Sequence, residues 1–424
     1  MKEYLNKLPQ EIRELVYLAC DIASGLNMSA YLVGGFVRDL ILGVENLDLD
    51  IVVEGEGIRF AEDFARTLGS KLVRHRRFGT ATVIIKPHLK VDIATARSEV
   101  YPAPARLPVV TGGTLKDDLL RRDFTINAMA ISITPDNFGR LVDLYAGRSD
   151  LKNRKIRVLH DLSFIDDPTR ILRAVRFEKR YNFKIEPKTL KLLKESVRLK
   201  MLEKVEPQRI RDDLILVLKE KKPLKEIRRI NELAGFGFIN PELKITRRAY
   251  GLLNAIEKEI NWFNKKYPER RNIDAWLIYL IGLLDALDTR VIKNFCRSFA
   301  FKRGEEKRIL DYKGISSGLI SKLSKEKVKP SQIFCAFEPL SYEVILILKA
   351  KYKNRYLRRH IEDFLEIYNG MRIFVSGHDL HDLGLAPGPK YQKIFASVLN
   401  AKLDGEVKTK EEELELIKSL IKLR

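Results

Sequence analysis

Apolar positions near the start of the chain follow two different periods. Residues 31–33 form a short apolar run, Gly34-Gly35 follow without side chains, and residues 36–42 have helical spacing closed by Gly43. The predicted order is strand, tight turn, short helix. Residues 48–53 (DLDIVV) then read as a second strand, whose period of two places Asp48 and Asp50 on one face and Leu49 on the other. Residues 58–68 carry an amphipathic helical pattern ending at Gly69, and residues 71–75, 80–86 and 89–94 read as strands of β-branched and apolar residues. Ahead of them, residues 1–26 predict one opening helix. Residues 97–118 break the pattern with three prolines and Gly112-Gly113, so a long polar loop is expected there. From residue 148 onward helical spacing dominates and strand signal nearly vanishes. The expected class is α+β: a small mixed-sheet head followed by an all-α remainder.

A length of 424 residues is too great for one compact core and predicts two to four domains. With 45% hydrophobic and 32% charged residues, the composition excludes a disordered chain. The first twenty residues mix acids and bases without an uninterrupted apolar core, so no signal or transit peptide is read there, and the apolar run 276–284 is too short to span a bilayer. A cytoplasmic protein without a membrane is expected. Cys20, Cys296 and Cys335 show no C-x-x-C spacing and read as reduced thiols. The net charge of +21 is unevenly placed: residues 1–147 hold 18 Lys and Arg against 19 Asp and Glu, whereas residues 148–424 hold 60 against 38. That excess points to a polyanion along the second part, the alternative being solvated helices of the kind thermophiles carry.

The chemistry concentrates in residues 31–53. Glycines at a strand-to-helix turn let a phosphate approach backbone amides, and the helix N-terminus adds partial positive charge. Two carboxylates on one strand face suit Mg²⁺, which keeps most of its waters and takes one or two carboxylates plus substrate phosphates. Taken singly, a Gly-Gly is usually a turn and a D-x-D a solvated strand end. Together, G-G-x-x-R-D followed by D-x-D resembles the signature of the DNA polymerase β-like nucleotidyltransferase superfamily, and within it the class II tRNA nucleotidyltransferases and bacterial poly(A) polymerases.

The resemblance implies roles residue by residue. Gly34, Gly35 and Arg38 would bind nucleotide, and Asp48 and Asp50 would hold two Mg²⁺ ions and carry catalysis. Asp92, between Val91 and Ile93, would complete the metal site or orient the primer hydroxyl; the bland alternative is a solvated edge carboxylate. In RRDFTINAMA (121–130), Arg122 would contact the triphosphate, Asp123 the ribose hydroxyl, and Asn127 would hold the local turn. Residues 97–118 would be the mobile loop that helps the switch from C to A. The segment RHRRFGTATV (74–83) is closer to the CCA-adding pattern than to that of the poly(A) polymerases.

In residues 163–177, an N-cap at Asp167 followed by Pro168 accounts for that pair without function. Arg170, Arg173 and Arg176 recur every three residues as an expected exposed basic edge, and the segment matches the family's base-reading E-D-x-x-R motif, with Asp166 in place of Glu. Residues 205–218 resemble a helix-stabilising motif, with Arg209 and Asp213 expected to pair at i,i+4.

Further on, Arg247-Arg248 and the group Lys265, Lys266, Arg270 and Arg271 recur near aromatics. The densest basic-aromatic cluster is KAKYKNRYLRR (349–359), whose Lys351, Lys353, Arg355, Arg358 and Arg359 are the candidate tRNA contacts. His378-Asp379 and His381-Asp382 hint at a metal phosphohydrolase, but six His in the whole chain are too few for such a site. The expected domains are a nucleotidyltransferase head (1–147), a base-recognising neck (148–222), and a body (223–345) and tail (346–424) that hold tRNA. The expected function is template-independent addition of C and A to the 3′ end of tRNA from CTP and ATP, with no obligate protein partner. Specialists adding only A or only CC come next, then a poly(A) polymerase; a non-catalytic RNA-binding helical protein is the rival of another class.

Overall fold

A computed structural model of the chain describes all residues except Leu47, His88, Arg271, Leu423 and Arg424. Arg271, among the basic residues singled out above, thus lies outside the described residues. The chain divides into two compact units, Met1–Ile239 and Asn240–Arg424.

The first unit is built on strands β1 (Ser29–Val33), β2 (Leu49–Glu54), β3 (Lys71–His75), β4 (Thr80–Lys86), β5 (Leu89–Thr95), β6 (Arg97–Val100), β7 (Val109–Gly112), β8 (Ala130–Ser132) and β9 (Leu141–Val142). Seven of them form a sheet in the order β3-β4-β5-β2-β1-β8-β9. Every pairing in it is antiparallel except β2 with β5, whose register sets Asp50 directly beside Asp92. Alternation divides the sheet into two faces. Ala30, Leu32, Ile51, Val53, Val91 and Ile93 are fully buried, and the helices Gln10–Gly25 and Gly57–Thr67 pack on the sheet through residues such as Val16, Phe60 and Phe64. On the other face Val33 and Val52 join Leu115 and Leu119 of the helix Leu115–Leu120 in a smaller cluster, and the same face carries Asp50 and Asp92.

Three expectations change. The opening segment is two helices, Lys2–Asn6 and Gln10–Gly25, because Pro9 cannot continue the first and stands as the N-cap of the second. Residues 97–118 are not a structureless loop: β6 and β7 pair as a hairpin, the three prolines fall in its connection, and Thr114 with Asp117 forms a capping box that starts the next helix. The chain does not break at 222/223 either. The helix Pro223–Leu233 packs on the helix Arg170–Arg180, with Arg229 Nε 2.8 Å from Glu178, so the first unit runs on to Ile239.

The second unit is helical. The helix Arg247–Lys266 packs against Ala275–Leu283 and Tyr342–Lys351. From Trp276 to Leu283 every residue of the second helix is buried, so its apolar run is core and not a membrane segment. Among the described residues no helix is long and apolar enough to cross a membrane. Val375, Leu380, Val398 and Ile417 form a separate small core.

Candidate active site

The Gly-Gly turn lies at the end of β1. Gly34 has φ +69°, a left-handed conformation that favours glycine, and it caps the helix Gly35–Leu42, which Gly43 closes at φ +68°. Space imposes a second constraint. A Cβ on Gly34 would stand 2.6 Å from Arg122 Nη1 and 3.7 Å from Asp50 Oδ2, so the turn, the arginine and the carboxylate converge on one point.

Asp48 is exposed just before β2, its backbone N–H donating to Asn46 Oδ1 at 2.9 Å. Asp50 projects from β2, and no described residue hydrogen-bonds to its carboxylate. Burial pushes its carboxyl up to about 6; Arg122 opposes that shift, and the charges of Asp92 and Asp48 add to it. Asp92 shares the face but is already engaged, accepting from Thr82 Oγ1 at 2.5 Å and from Lys90 Nζ at 2.8 Å. Among the described residues no three His, Cys, Asp or Glu side chains are grouped to hold a metal by themselves. The free acids are therefore the pair Asp48 and Asp50.

The RRDFTINA segment supplies the next wall. Asp123 is buried and accepts from the Phe124 N–H at 2.8 Å, Asn127 Nδ2 at 2.8 Å and Arg173 Nε at 2.8 Å. Burial alone would raise its carboxyl, but Arg173 and the Asn127 amide outweigh that and hold it down to about 2. Arg122 donates to buried Asp118 at 2.9 Å, while its Nε is buried with no partner. Arg38 spans Asp39 with two bonds of 2.8 Å, donates to Asn127 Oδ1 at 2.6 Å, and lies over the Phe177 and Tyr181 rings. Arg38 thus fixes Asn127, and Asn127 fixes Asp123.

Asp167 and Arg170 differ from expectation. Arg170 is 3% exposed rather than part of an exposed edge; Nη1 donates to Ser163 Oγ at 2.5 Å and Nη2 to the Arg121 carbonyl at 2.8 Å. Arg176 is also inward, its Nε buried without a hydrogen bond and 3.8 Å from Glu220. Asp167 Oδ1 accepts from the Thr169 N–H at 3.1 Å, its hydroxyl at 2.7 Å and Arg209 Nη2 at 2.8 Å; the N-cap of the helix Arg170–Arg180 is Thr169, so Asp167 braces the turn ahead of that helix instead of standing as its expected N-cap. Oδ2 accepts no hydrogen bond from a described residue. Arg209 therefore pairs with Asp167 and not with Asp213, and its Nη1 also donates to the Ala105 carbonyl at 3.0 Å.

All ten candidate nucleotide-binding residues and Asp50 line one cavity of about 410 Å³ within the first unit. Glu99 and Tyr101 of the hairpin line it too, and the sequence reading missed both. Their signal was the period of two in RSEVY, which sets Arg97, Glu99 and Tyr101 on one side. Glu99 accepts from Arg97 at 2.8 Å and from Tyr101 at 3.3 Å, and burial, set against nearby Arg170, pushes the phenol up to about 12.

The five basic candidates of the second unit divide. Lys351 is held by Asp285 at 2.7 Å and by the Tyr312 hydroxyl at 3.0 Å, and Arg358 by Glu259 at 2.8 Å. These two brace the helices, which corrects the reading of all five as free contacts. Lys353 and Arg355 are exposed without an ion pair among the described residues, and Arg359 is exposed with Asp363 at 3.8 Å. His378 and His381 belong to a short helix whose Asp379 caps Ser376 and pairs with Lys410, so no metal site forms there among the described residues.

A Gly-Gly turn, a carboxylate pair and a convergent arginine wall on a small mixed sheet define a nucleotidyltransferase head, and residues 30–157 match the family described as poly A polymerase head domain. The chain is 36% identical over 400 residues to the A-adding tRNA nucleotidyltransferase of Geobacter sulfurreducens, covering 93% of this chain and 45% of that one. It is 32% identical to the A-adding tRNA nucleotidyltransferase of Halalkalibacterium halodurans, covering 93% of this chain and 89% of the relative. Among solved structures, the Thermotoga maritima CCA-adding enzyme complexed with tRNA is similar at a TM-score of 0.74 and 36% identity, over 99% of this chain and 98% of that one. The chain belongs to the tRNA nucleotidyltransferase family. It spans less than half the length of the Geobacter relative and most of the Halalkalibacterium one.

Proposed function

We propose that the chain adds C and/or A nucleotides to the 3′ end of tRNA in the cytoplasm, without a template, consuming CTP and ATP and releasing pyrophosphate. The observation that carries this reading is the single cavity shared by Asp50, the Gly-Gly turn, Arg122 and the Asp167–Arg170 pair. Residues 1–147 carry the transfer and 148–222 the base recognition, while 223–345 and 346–424 hold the tRNA, Pro223–Leu233 being the stretch of these that belongs to the first unit.

Amides of the Gly34-Gly35 turn and Arg122 hold the triphosphate, the buried Arg122 Nε being a donor still in need of an acceptor. Asp123, fixed by Asn127 and Arg173, faces the ribose hydroxyls. Asp48 and Asp50 fit Mg²⁺: both offer hard oxygens, and Asp50 is half-buried near two other acids with no hydrogen-bond donor of its own among the described residues. Two such ions, when bound, lower the pKa of the attacking 3′-hydroxyl and stabilise the charge on the departing phosphates. Asp92, tied to Thr82 and Lys90, holds the β5 side of the pair and orients the primer hydroxyl. Cytosine and adenine each show an amino donor beside a ring acceptor. The free Oδ2 of Asp167 accepts from the first and Arg170 donates to the second; uracil and guanine show the reverse order.

A second reading, addition of A alone, is favoured by the two named bacterial relatives, which carry that activity in their names. One assay separates the readings: give each NTP alone to tRNA lacking CCA, to tRNA ending in CC, and to unstructured RNA. CTP then ATP on tRNA supports the full activity, and ATP only on the CC-ended tRNA supports the specialist. Long tails on any RNA, or no transfer at all, overturn both.

A further inference from the structure

Four charged side chains form a block on the face of the sheet that carries the carboxylates. The parallel register of β2 and β5 sets Asp50 beside Asp92, and Leu49 with Val91 is its first pair. One position earlier on each strand stand Asp48 and Lys90, so the period of two puts Lys90 on the face of Asp92 and across from Asp48. Three acids side by side repel one another, and they are not grouped to hold a metal by themselves. Lys90 is the cation of this block: its Nζ lies 2.8 Å from Asp92 Oδ2.

Stability does not account for it. An exposed ion pair contributes little to folding, and the Lys90 side chain is 51% exposed. Nor is Lys90 needed to orient Asp92, because the Thr82 hydroxyl already donates to Oδ1 at 2.5 Å. What remains is its charge. The hydrogen bond to Asp92 holds the ammonium above the usual lysine range; partial desolvation opposes it, and the charges of Asp92, Asp48 and Asp50 add to it. All three acids therefore feel the same cation. Arg122 also acts on Asp50 but is fixed by buried Asp118 at 2.9 Å, whereas Lys90 carries a compact charge on a flexible stem with its head in solvent.

We propose that Lys90 is a resident counter-cation of Asp48, Asp50 and Asp92 that competes with divalent metal for their charge, keeping the metal site weak until the phosphates of a nucleotide join it. A dication entering the block alone meets an ammonium beside its ligands. A triphosphate outweighs that single positive charge and adds oxygen ligands, so metal and nucleotide enter together. The inference rests on the reading of Asp48 and Asp50 as metal ligands.

The test measures Mn²⁺ binding to the protein without RNA, read from the free-ion signal in electron paramagnetic resonance, for the wild type, Lys90→Met, Lys90→Arg and Asp50→Ala. Lys90→Met should bind free Mn²⁺ about three- to tenfold more tightly at low salt, and Lys90→Arg, which keeps the charge, should match the wild type. The preformed complex of Mn²⁺ with ATP should bind Lys90→Met no more tightly than it binds the wild type. Melting temperatures of both Lys90 variants should hold, since Asp92 keeps its bond from Thr82. A merely structural lysine would not strengthen metal binding when removed. Loss of Mn²⁺ in Asp50→Ala with unchanged affinity in Lys90→Met would overturn the counter-cation and leave the metal ligands standing. Mn²⁺ binding by Asp50→Ala equal to that of the wild type would overturn both. Weaker binding of ATP to Lys90→Met in the presence of EDTA, with Mn²⁺ affinity unchanged, would also overturn the inference and make Lys90 a phosphate contact.

Discussion

The arginines of the first unit's cavity and the lysines and arginines of the second unit's surface are the same chemistry put to opposite uses. In the cavity four arginines are held by hydrogen bonds: Arg38 by Asp39 and Asn127, Arg122 by Asp118, Arg170 by Ser163 and a carbonyl, Arg173 by Asp123. On the second unit Lys353 and Arg355 have no acidic partner among the described residues, and Arg359 only a distant one. Transfer needs groups fixed to within fractions of an ångström, so the first unit surrounds its charges with partners, and its residues 1–147, with 18 Lys and Arg against 19 Asp and Glu, stay near neutral. Holding an RNA backbone needs charge without such fixing, because phosphate contacts position a nucleic acid and do not read it.

The sharpest way to break this division is Asp50→Ala. Transfer should fall by at least about a thousandfold, roughly 4 kcal/mol of barrier, in single-turnover kinetics with Mg²⁺. Binding of tRNA should stay within about twofold, since the cationic surface is untouched. The variant should fold, because burial already disfavours the ionised carboxylate and alanine removes that penalty. A folded variant that keeps substantial activity would refute the metal assignment.

Next in size is the loss of an internal partner. Asp123→Asn leaves half-buried Arg173 without its counter-charge and should cost about 1.5 to 3 kcal/mol in denaturant unfolding at neutral pH. The pH dependence carries the same signature. The Asp123 carboxyl is held at about 2 against an ordinary 3.8, so its contribution is complete above pH 3.8 and is lost as pH falls through about 2. The difference corresponds to roughly 2 kcal/mol. Wild-type stability should therefore drop more between pH 5 and pH 2 than that of Asp123→Asn; parallel curves would mean that Asp123 and Arg173 do not depend on each other.

What the sequence disclosed follows from how local each determinant is. β3 and β4 were read to the residue because alternation is a property of neighbours, and the Gly34, Asp48 and Asp123 motifs each act through a few adjacent positions. The partners across the fold were hidden. Arg209 faces a nearby helical acid in sequence, yet the tertiary structure gives it Asp167, 42 residues away, and the hairpin carbonyl of Ala105. Lys351 and Arg358 read as surface charge because their acids lie 66 and 99 residues distant. Glu99 and Tyr101 were masked by the prolines that follow, which made a hairpin look like a loop.

A smaller effect sharpens the comparison within the cavity. Asp167 braces the turn ahead of the helix through Oδ1 and leaves Oδ2 free, so the bracing and base-reading roles are compatible in one side chain. Asp167→Ala should narrow the preference for CTP and ATP over UTP and GTP by about ten- to a hundredfold, measured as kcat/KM for each nucleotide. A lost brace alone would lower all four rates together and leave their ratios unchanged.

The smallest expected effects lie on the second unit, where the two kinds of cation can be set against each other. Replacing Arg355 and Arg359 by Gln removes exposed charge and should lower the salt slope of tRNA binding by about two, with melting temperature unchanged. Replacing Lys351 and Arg358 by Met should do the reverse. Both stand in internal pairs, with Asp285 and Glu259, and both side chains are mostly covered, at 28% and 34% exposed. Removing either leaves a partly buried acid without its partner, so stability should fall while the salt slope holds nearly constant. Arg358 is the more telling of the two, because Glu259 also carries buried Lys349 at 2.9 Å and would retain one cation, giving a smaller loss than at Asp285. Equal loss of slope from both pairs of replacements would show that the ion pairs open to meet RNA, and the distinction between bracing and binding cations would not survive on this unit.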